Sequence, residues 1–293
     1  MSTKRRRIFS CLLALVLAVT ALPSAALAAE TDPILINDTP YATLPEALAA
    51  VQDGDTVTLL EDVSVTLSDT SSGYPGCDES LWCEADDVVL DLGGNTLTTI
   101  SNKGGSYNVL NILGTGWTVK DGQIRALRSG GGADSYALAA ECEDGTVTFE
   151  NLSLNGGVAL YGTITAAFSS GTAFATNYYC VYLESGASAV LEGGTYSSGT
   201  GKPVIYAGKN CSARITGGTY EGTLFGGDGS LTVTGGTFSA DPSAYVPETG
   251  YVLSEMDGWY TVAPLGEDTA AAKIGSTYYE TLAAALADAA PGD

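Results

Sequence analysis

The fold of this chain is decided by a phrase that occurs three times: Gly193-Gly194-Thr195-Tyr196, Gly217-Gly218-Thr219-Tyr220 and Gly235-Gly236-Thr237-Phe238. Each copy follows a segment in which apolar and polar residues alternate, as they do in a strand with one buried face. The copies start 24 and 18 residues apart, so each interval holds one strand–turn–strand unit. This spacing predicts a solenoid, in which each coil buries its apolar face against the next.

Alignment of the coils on this turn predicts two columns of inward-facing side chains. The first column contains Phe149, Leu191, Ile215 and Val233, and the second contains Leu154, Tyr196, Tyr220 and Phe238. In stacked parallel coils such columns form a continuous core, and burial of one such side chain contributes about 1.5–3 kcal/mol. Residues 162–176 are rich in small side chains and are assigned to a coil without a clear register.

The composition favours a folded, strongly acidic protein. The 293 residues are 45% hydrophobic and include 34 acidic and 12 basic side chains, for a net charge of -22. The apolar content suffices for a core, which excludes a disordered acidic tail. Nucleic acid is not expected as a partner, because phosphate binding needs clustered Lys and Arg. The chain has no histidine, which excludes Ser-His-Asp and Cys-His catalysis.

Residues 1–28 predict a secretory signal peptide. Basic residues Lys4-Arg5-Arg6-Arg7 precede an apolar run, and Ala26-Leu27-Ala28 provides a small-x-small cleavage site. The run is short and ends at Pro23, which argues against a spanning helix. We therefore expect a secreted or cell-surface protein that begins at Ala29 and has no membrane span after cleavage. Its eight basic and 34 acidic residues give a charge of -26.

Residues 43–51 predict a short helix that covers one end of the solenoid. Thr43 is a suitable N-cap and Pro45 is suited to the first turn. One face of this helix is apolar and consists of Leu44, Ala47, Leu48 and Val51. Such a helix shields the core and the exposed strand edges of the first coil.

The same pattern returns near the C-terminus. At an offset of 238 residues the matching pairs are Tyr41/Tyr279, Thr43/Thr281, Leu44/Leu282 and Leu48/Leu286. We therefore expect a β-helix domain over residues 29–262, a linker over 263–273, and the truncated start of a second module over 274–293. A duplicated terminal cap is the alternative.

The first cap, Tyr41-x-Thr43-Leu44-x-x-Ala47-Leu48 followed by Gly54-Asp55-Thr56-Val57, resembles the start of right-handed parallel β-helices of the pectate-lyase-like superfold. The glycine turns and residues 250–262 are similar to secreted surface proteins of Gram-positive gut bacteria. The resemblance implies an all-β solenoid: a right-handed parallel β-helix with an N-terminal capping helix and a C-terminal helix that starts a second module. It implies no particular activity, because the superfold hosts lyases, hydrolases, adhesins and inert spacers.

A lyase of the pectate type is expected to use carboxylates for calcium and an Arg or Lys as the base. The nearest acidic cluster is Asp86, Asp87 and Asp91, and the available bases are Lys120, Arg125 and Arg128. Asp87 and Asp91 flank an ordinary Val-Val-Leu strand, so solvated carboxylates also explain them. We assign no catalytic residue, no metal ligand and no cofactor, and the balance favours a protein that is not an enzyme.

Five cysteines follow the signal segment: Cys77, Cys83, Cys142, Cys180 and Cys211. Their spacing does not match a zinc site. A Cys77–Cys83 bridge and buried free thiols are both open interpretations.

One pair of aromatic residues suggests binding. Tyr182 aligns with Tyr206 one coil later and lies near Tyr178 and Tyr179. If Val181 and Leu183 face inward, the two aligned tyrosines stack on the outside, whereas the opposite parity puts both in the core. Such a stripe can bind sugar rings, so an extracellular polysaccharide or host glycan is the expected partner. We therefore expect a non-catalytic module that is adhesin-like, glycan-binding or a spacer. The alternative is a polysaccharide lyase or glycoside hydrolase acting on acidic glycans.

Overall fold

The computed structural model describes residues 32–67, 81–101, 108–128, 136–199 and 201–291. Residues 1–28, for which the sequence predicts a signal peptide, and Cys77 lie outside the described residues. Both described helices are short, and no helix in the described ranges has the length and apolar character needed to cross a membrane.

Most strands belong to three ladders of parallel strands, which we call the first, second and third ladder. The first ladder consists of β3 (Thr56–Leu59), β6 (Val89–Asp91), the first half of β9 (Trp117–Arg128), the first half of β11 (Thr146–Leu154), β13 (Thr165–Phe168), β16 (Ser188–Leu191), β19 (Ser212–Ile215) and β22 (Ser230–Val233).

The second ladder consists of β4 (Val63–Thr66), β7 (Thr96–Ser101), the second halves of β9 and β11, β14 (Ala173–Ala175), β17 (Thr195–Ser197), β20 (Thr219–Glu221) and β23 (Gly236–Phe238). The third ladder consists of β5 (Leu81–Cys83), β8 (Asn108–Ile112), β10 (Tyr136–Glu141), β12 (Gly157–Tyr161), β15 (Val181–Glu184), β18 (Ile205–Ala207) and β21 (Phe225–Gly226).

The chain visits the three ladders in the same order in every coil, and all three contribute to one apolar core. The predicted all-β class and the long parallel pairing are confirmed, and the arrangement fits a β-helix-like fold. In most of these strands alternate side chains point into the core, as the period of two requires.

Both predicted inner columns are confirmed. Parallel pairing aligns Phe149, Leu191, Ile215 and Val233 in the first ladder, and Leu154, Tyr196, Tyr220 and Phe238 in the second, and all eight are buried. The segment 162–176, which the sequence left without a register, supplies the missing member of each column. Phe168 completes the first column and Phe174 completes the second.

The paired glycines form the corner between the first and second ladders. Gly194, Gly218 and Gly236 have positive φ angles of 91°, 99° and 118°, which favour glycine. A Cβ on Gly194 would also clash with the carbonyl oxygen of Thr172 in the preceding coil. The repeated phrase is therefore required both for the turn and for close stacking of coils.

The N-terminal end is covered by a hairpin and a helix. The antiparallel strands β1 (Ile34–Ile36) and β2 (Thr39–Tyr41) lead into helix α1 (Leu44–Ala50), and β1 also pairs with β3. Thr43 is the N-cap, and its side chain accepts a hydrogen bond from the Glu46 amide. The predicted cap helix is thus present, with its apolar face buried.

Parallel pairing ends at β23. A 3-10 turn (Ser243–Tyr245) follows, and an antiparallel hairpin of β24 (Tyr251–Met256) and β25 (Trp259–Pro264) then adds to β23. A separate hairpin of β26 (Ala272–Ile274) and β27 (Thr277–Tyr279) precedes helix α2 (Leu282–Asp288).

Candidate functional site

The third ladder carries the two tyrosines predicted from the sequence. Val181 and Leu183 are buried in the core, which turns Tyr182 to the outer side of β15. Tyr182 and Tyr206 are register partners, and their rings stack with centroids 5.0 Å apart and an interplanar angle of 9°. The predicted external stack is therefore present.

These two rings belong to a larger group, which we call the aromatic patch. The patch consists of Tyr136, Tyr161, Tyr178, Tyr179, Tyr182 and Tyr206. Ring centroids in contact are 4.5–6.2 Å apart, and most pairs are tilted or edge-on, as aromatic quadrupoles prefer. Tyr182 is the hub, because its ring contacts four of the other five. All of these tyrosines except Tyr206 pack with Ala139 and Ala159 into an apolar cluster separate from the main core.

Small residues on the third ladder allow rings from different coils to meet. Tyr136 and Tyr182 lie on β10 and β15, which are separated by β12, yet their centroids are 5.7 Å apart. Ala159 of β12 is the register partner of Tyr182 and is fully buried in the patch cluster. A Cβ on Gly157 would lie 3.1 Å from Cδ1 of Tyr136 and would clash with the carbonyl oxygen of Tyr179. Glycine and alanine at these positions therefore leave the space in which the rings of the patch meet.

Polar groups border the rings. The Tyr182 hydroxyl donates a hydrogen bond of 2.9 Å to Oε1 of Glu184. Nζ of Lys202 lies 4.8 Å from the ring centroid of Tyr178 and 5.1 Å from that of Tyr179, which is the geometry of a cation–π contact. Burial raises the pKa of Tyr136, and burial together with the hydrogen bond to Glu184 raises the pKa of Tyr182. Both phenols therefore stay neutral around neutral pH.

The sequence singled out Tyr182 and Tyr206 and placed Tyr178 and Tyr179 nearby, but it missed Tyr136 and Tyr161. Tyr136 pairs with Gly157, and Tyr161 pairs with Glu184. Neither partner is aromatic, so no ladder of like residues marks these positions. For Tyr161 the remaining signal was parity, because it lies two residues from the outward Ala159 on β12. Parity fails for Tyr136, because the register shifts between Tyr136 and Leu138.

The candidate lyase residues are held in a different way. Asp91 and Lys120 are register partners in the first ladder, and Nζ of Lys120 lies 2.9 Å from Oδ2 of Asp91 and 3.1 Å from Oδ2 of Asp121. Hydrogen bonds to Asp91 and Asp121 raise the pKa of Lys120. A lysine that is paired with two carboxylates stays protonated, so it is a poor general base.

The remaining members of that set lie elsewhere. Arg125 pairs with Thr98 in the second ladder and is exposed. Asp86 links two neighbouring coils, because its Oδ1 accepts a hydrogen bond of 2.8 Å from the Thr115 amide. In the described ranges, no three His, Cys, Asp or Glu side chains are grouped so that they could hold a metal ion.

Four cysteines are free thiols: Cys83, Cys142, Cys180 and Cys211. Three of them are buried, Cys142 is half-buried, and burial raises the pKa of the Cys83 and Cys180 thiols. Of the two open interpretations, the structure of Cys83 agrees with a buried thiol that packs as a small apolar group. Its suggested partner Cys77 lies outside the described residues.

Comparison with protein-family models, with curated proteins and with solved structures gives no match to this chain.

Proposed function

We propose that this protein is a secreted or cell-surface, non-catalytic module that binds glycans through the aromatic patch. The observation that carries the proposal is the patch itself: six tyrosine rings connected by seven ring contacts on the third ladder and the turn before β15. Tyrosine offers both surfaces that a sugar needs, because its ring packs against C–H groups and its hydroxyl exchanges hydrogen bonds.

The architectural part of the proposal is a right-handed parallel β-helix. The three parallel ladders and their constant order along the chain support a helical path around one core. The right hand follows from the twist of strands and from the preference of parallel crossover connections. The C-terminal hairpin and helix belong to a second module in this proposal.

The proposed ligand is an uncharged polysaccharide. After removal of the signal segment the chain carries 34 acidic and eight basic residues, and such a charge repels polyanions. Glu184 and Asp228 lie close enough to Tyr206 to contribute to the rise of its pKa, although burial is the larger cause. The Lys202 ammonium is placed over two rings of the patch.

The export part rests on the residues before Ala29. N-terminal sequencing of secreted protein is expected to begin at Ala29, and recovery of Met1 on protein that stays in the cytoplasm would contradict it.

The binding experiment titrates the protein with xylan, galactan and glucomannan, and in parallel with polygalacturonate and alginate in the presence of calcium. We expect binding to a neutral glycan, and a loss of about 2- to 12-fold in affinity for Tyr182→Ala or Tyr206→Ala, from about 0.5–1.5 kcal/mol per aromatic contact.

Tyr278→Ala is the matched control, because Tyr278 also lies under a lysine, 4.7 Å from Nζ of Lys273, but outside the patch. Equal affinity of the patch variants and the control would refute the proposed site. Release of unsaturated product from a uronan, abolished by Arg125→Ala or Asp91→Ala, would instead support the lyase alternative.

A further inference from the structure

The C-terminal hairpin and helix repeat the N-terminal cap residue by residue. Adding 238 to the bounds of β1, β2 and α1 gives the bounds of β26, β27 and α2 without any deviation. Both hairpins are antiparallel, and both contain a residue of positive φ at the same place, Asn37 at 53° and Gly275 at 59°. The two segments are therefore copies of one structural unit.

The helices begin in the same way. Thr281 is the N-cap of α2 and accepts a hydrogen bond of 3.1 Å from the Ala284 amide, as Thr43 does from Glu46 in α1. Each helix also packs on its own hairpin in the same way, since the equivalent residues Ala47 of α1 and Ala285 of α2 are both buried.

The two copies differ in what covers their apolar side. Leu44 and Leu48 of α1 are 1% and 5% exposed, whereas the equivalent Leu282 and Leu286 of α2 are 60% and 67% exposed. In the first copy the cover is the first coil, since α1 packs on β5.

The strand edges differ in the same way. β1 pairs with β2 on one side and with β3 on the other, from Ile34 opposite Leu59 to Ile36 opposite Val57. In the described part of the chain, β26 pairs with β27 alone. In the first copy, the first coil covers the apolar face of α1, and β3 pairs with the edge of β1. The second copy has the same helix face and the same strand edge, and both are uncovered within the described residues.

We propose that β26 and α2 form a docking surface for the leading strand and first coil of another β-helix module. The partner is an extended segment of alternating apolar residues, equivalent to Thr56–Leu59, which adds antiparallel to β26 while its coil covers Leu282 and Leu286. A second copy of this protein does not supply that strand, because its β3 is already paired with β1 and β6.

The test extends the chain by a second copy of residues 56–92, which includes the sequences of β3, β4 and β5, placed directly after Asp293 to restore the spacing of the first cap. Linkage makes the association intramolecular, so a weak contact is still populated. Hydrogen–deuterium exchange of residues 272–288 is measured by mass spectrometry. We expect exchange to slow at least about tenfold relative to the unextended chain, because strand pairing and burial protect the amides.

The matched control carries Val57→Ser and Leu59→Ser in the added copy, which removes its apolar side, and it should show no slowing. Leu286→Ser in the extended chain should likewise abolish the slowing. Unchanged exchange in the extended chain, or equal slowing with the control, would overturn the proposal. Protection in the unextended chain that grows with protein concentration would also overturn it, in favour of self-association through α2.

Discussion

Two neighbouring tyrosines of the second inner column should respond to the same substitution with opposite signs. Their rings stack almost in parallel, with centroids 4.9 Å apart at 2°, and both side chains are 1% exposed. The Tyr220 hydroxyl donates a hydrogen bond of 2.9 Å to the carbonyl oxygen of Gly217. The Tyr196 hydroxyl is buried and finds no hydrogen-bond partner among the described residues.

Replacement by phenylalanine removes only the hydroxyl and keeps the stacked ring. A buried polar group without a partner costs about 1–3 kcal/mol, so Tyr196→Phe should raise the free energy of unfolding by about that amount. Tyr220→Phe loses a satisfied hydrogen bond and should lower the free energy of unfolding by about 0.5–1.5 kcal/mol, the net contribution of such a bond. The stacking contribution is the same in all variants because the rings remain.

The assay is urea unfolding of the wild type, the two single variants and the double variant. A change of 1 kcal/mol corresponds to about 2–4 °C in Tm for a domain of this size, so thermal unfolding gives an independent check. If Tyr196→Phe lowered stability as much as Tyr220→Phe does, the Tyr196 hydroxyl would have a partner and the reasoning would be wrong. A double variant far from the sum of the singles would show that the hydroxyls interact.

Two further predictions concern the aromatic patch. Because burial holds the pKa of Tyr136 above the ordinary value of 10.0, its stabilising contribution is complete below pH 10 and is lost as the pH rises through the raised pKa. Tyrosinate absorbance of the buried rings should therefore appear together with alkaline unfolding, and ionisation well before unfolding would contradict this. Gly157→Ala should cost about 1–3 kcal/mol and weaken glycan binding with every tyrosine retained, since its Cβ meets the Tyr179 backbone. Calorimetry and glycan titration check this, with Ser185→Ala at an exposed turn as the control; an unchanged affinity would show that the ring arrangement does not matter.

The sequence predicted the core better than the outer surface. Leu191 and Ile215 were placed in one column because the glycine turn fixes the register on both sides of the corner. Phe168 and Phe174 were missed because the spacing between coils is not constant, and variable loops on the outside absorb the differences without disturbing the ladders. A column can be read from a sequence only where a marker such as the double glycine recurs.

The aromatic patch needed the structure for a different reason. Its rings come from four strands of the third ladder and from the turn that precedes β15, and they meet over alanine and glycine positions. Contacts between non-partner strands depend on ring tilt and on what the intervening residue leaves open. Tyr136 and Tyr182 lie two strands apart, and their contact across Ala159 leaves no pattern in the sequence.

The same pairing geometry builds aromatic stacks on both sides of the coils, and the difference between them bears on function. Inside, Phe174, Tyr196, Tyr220 and Phe238 stack at 4.9–5.2 Å because each is the register partner of the next. Outside, Tyr182 and Tyr206 stack at 5.0 Å for the same reason. The inner rings are buried in the core and cannot contact a ligand, whereas the outer rings Tyr182 and Tyr206 are half-buried at the surface. Tyr182 is held by four ring neighbours and by Glu184, so its conformation is fixed before any ligand arrives. A binding surface that is already ordered loses little conformational entropy on binding, and this makes a shallow patch on a parallel ladder a workable glycan site.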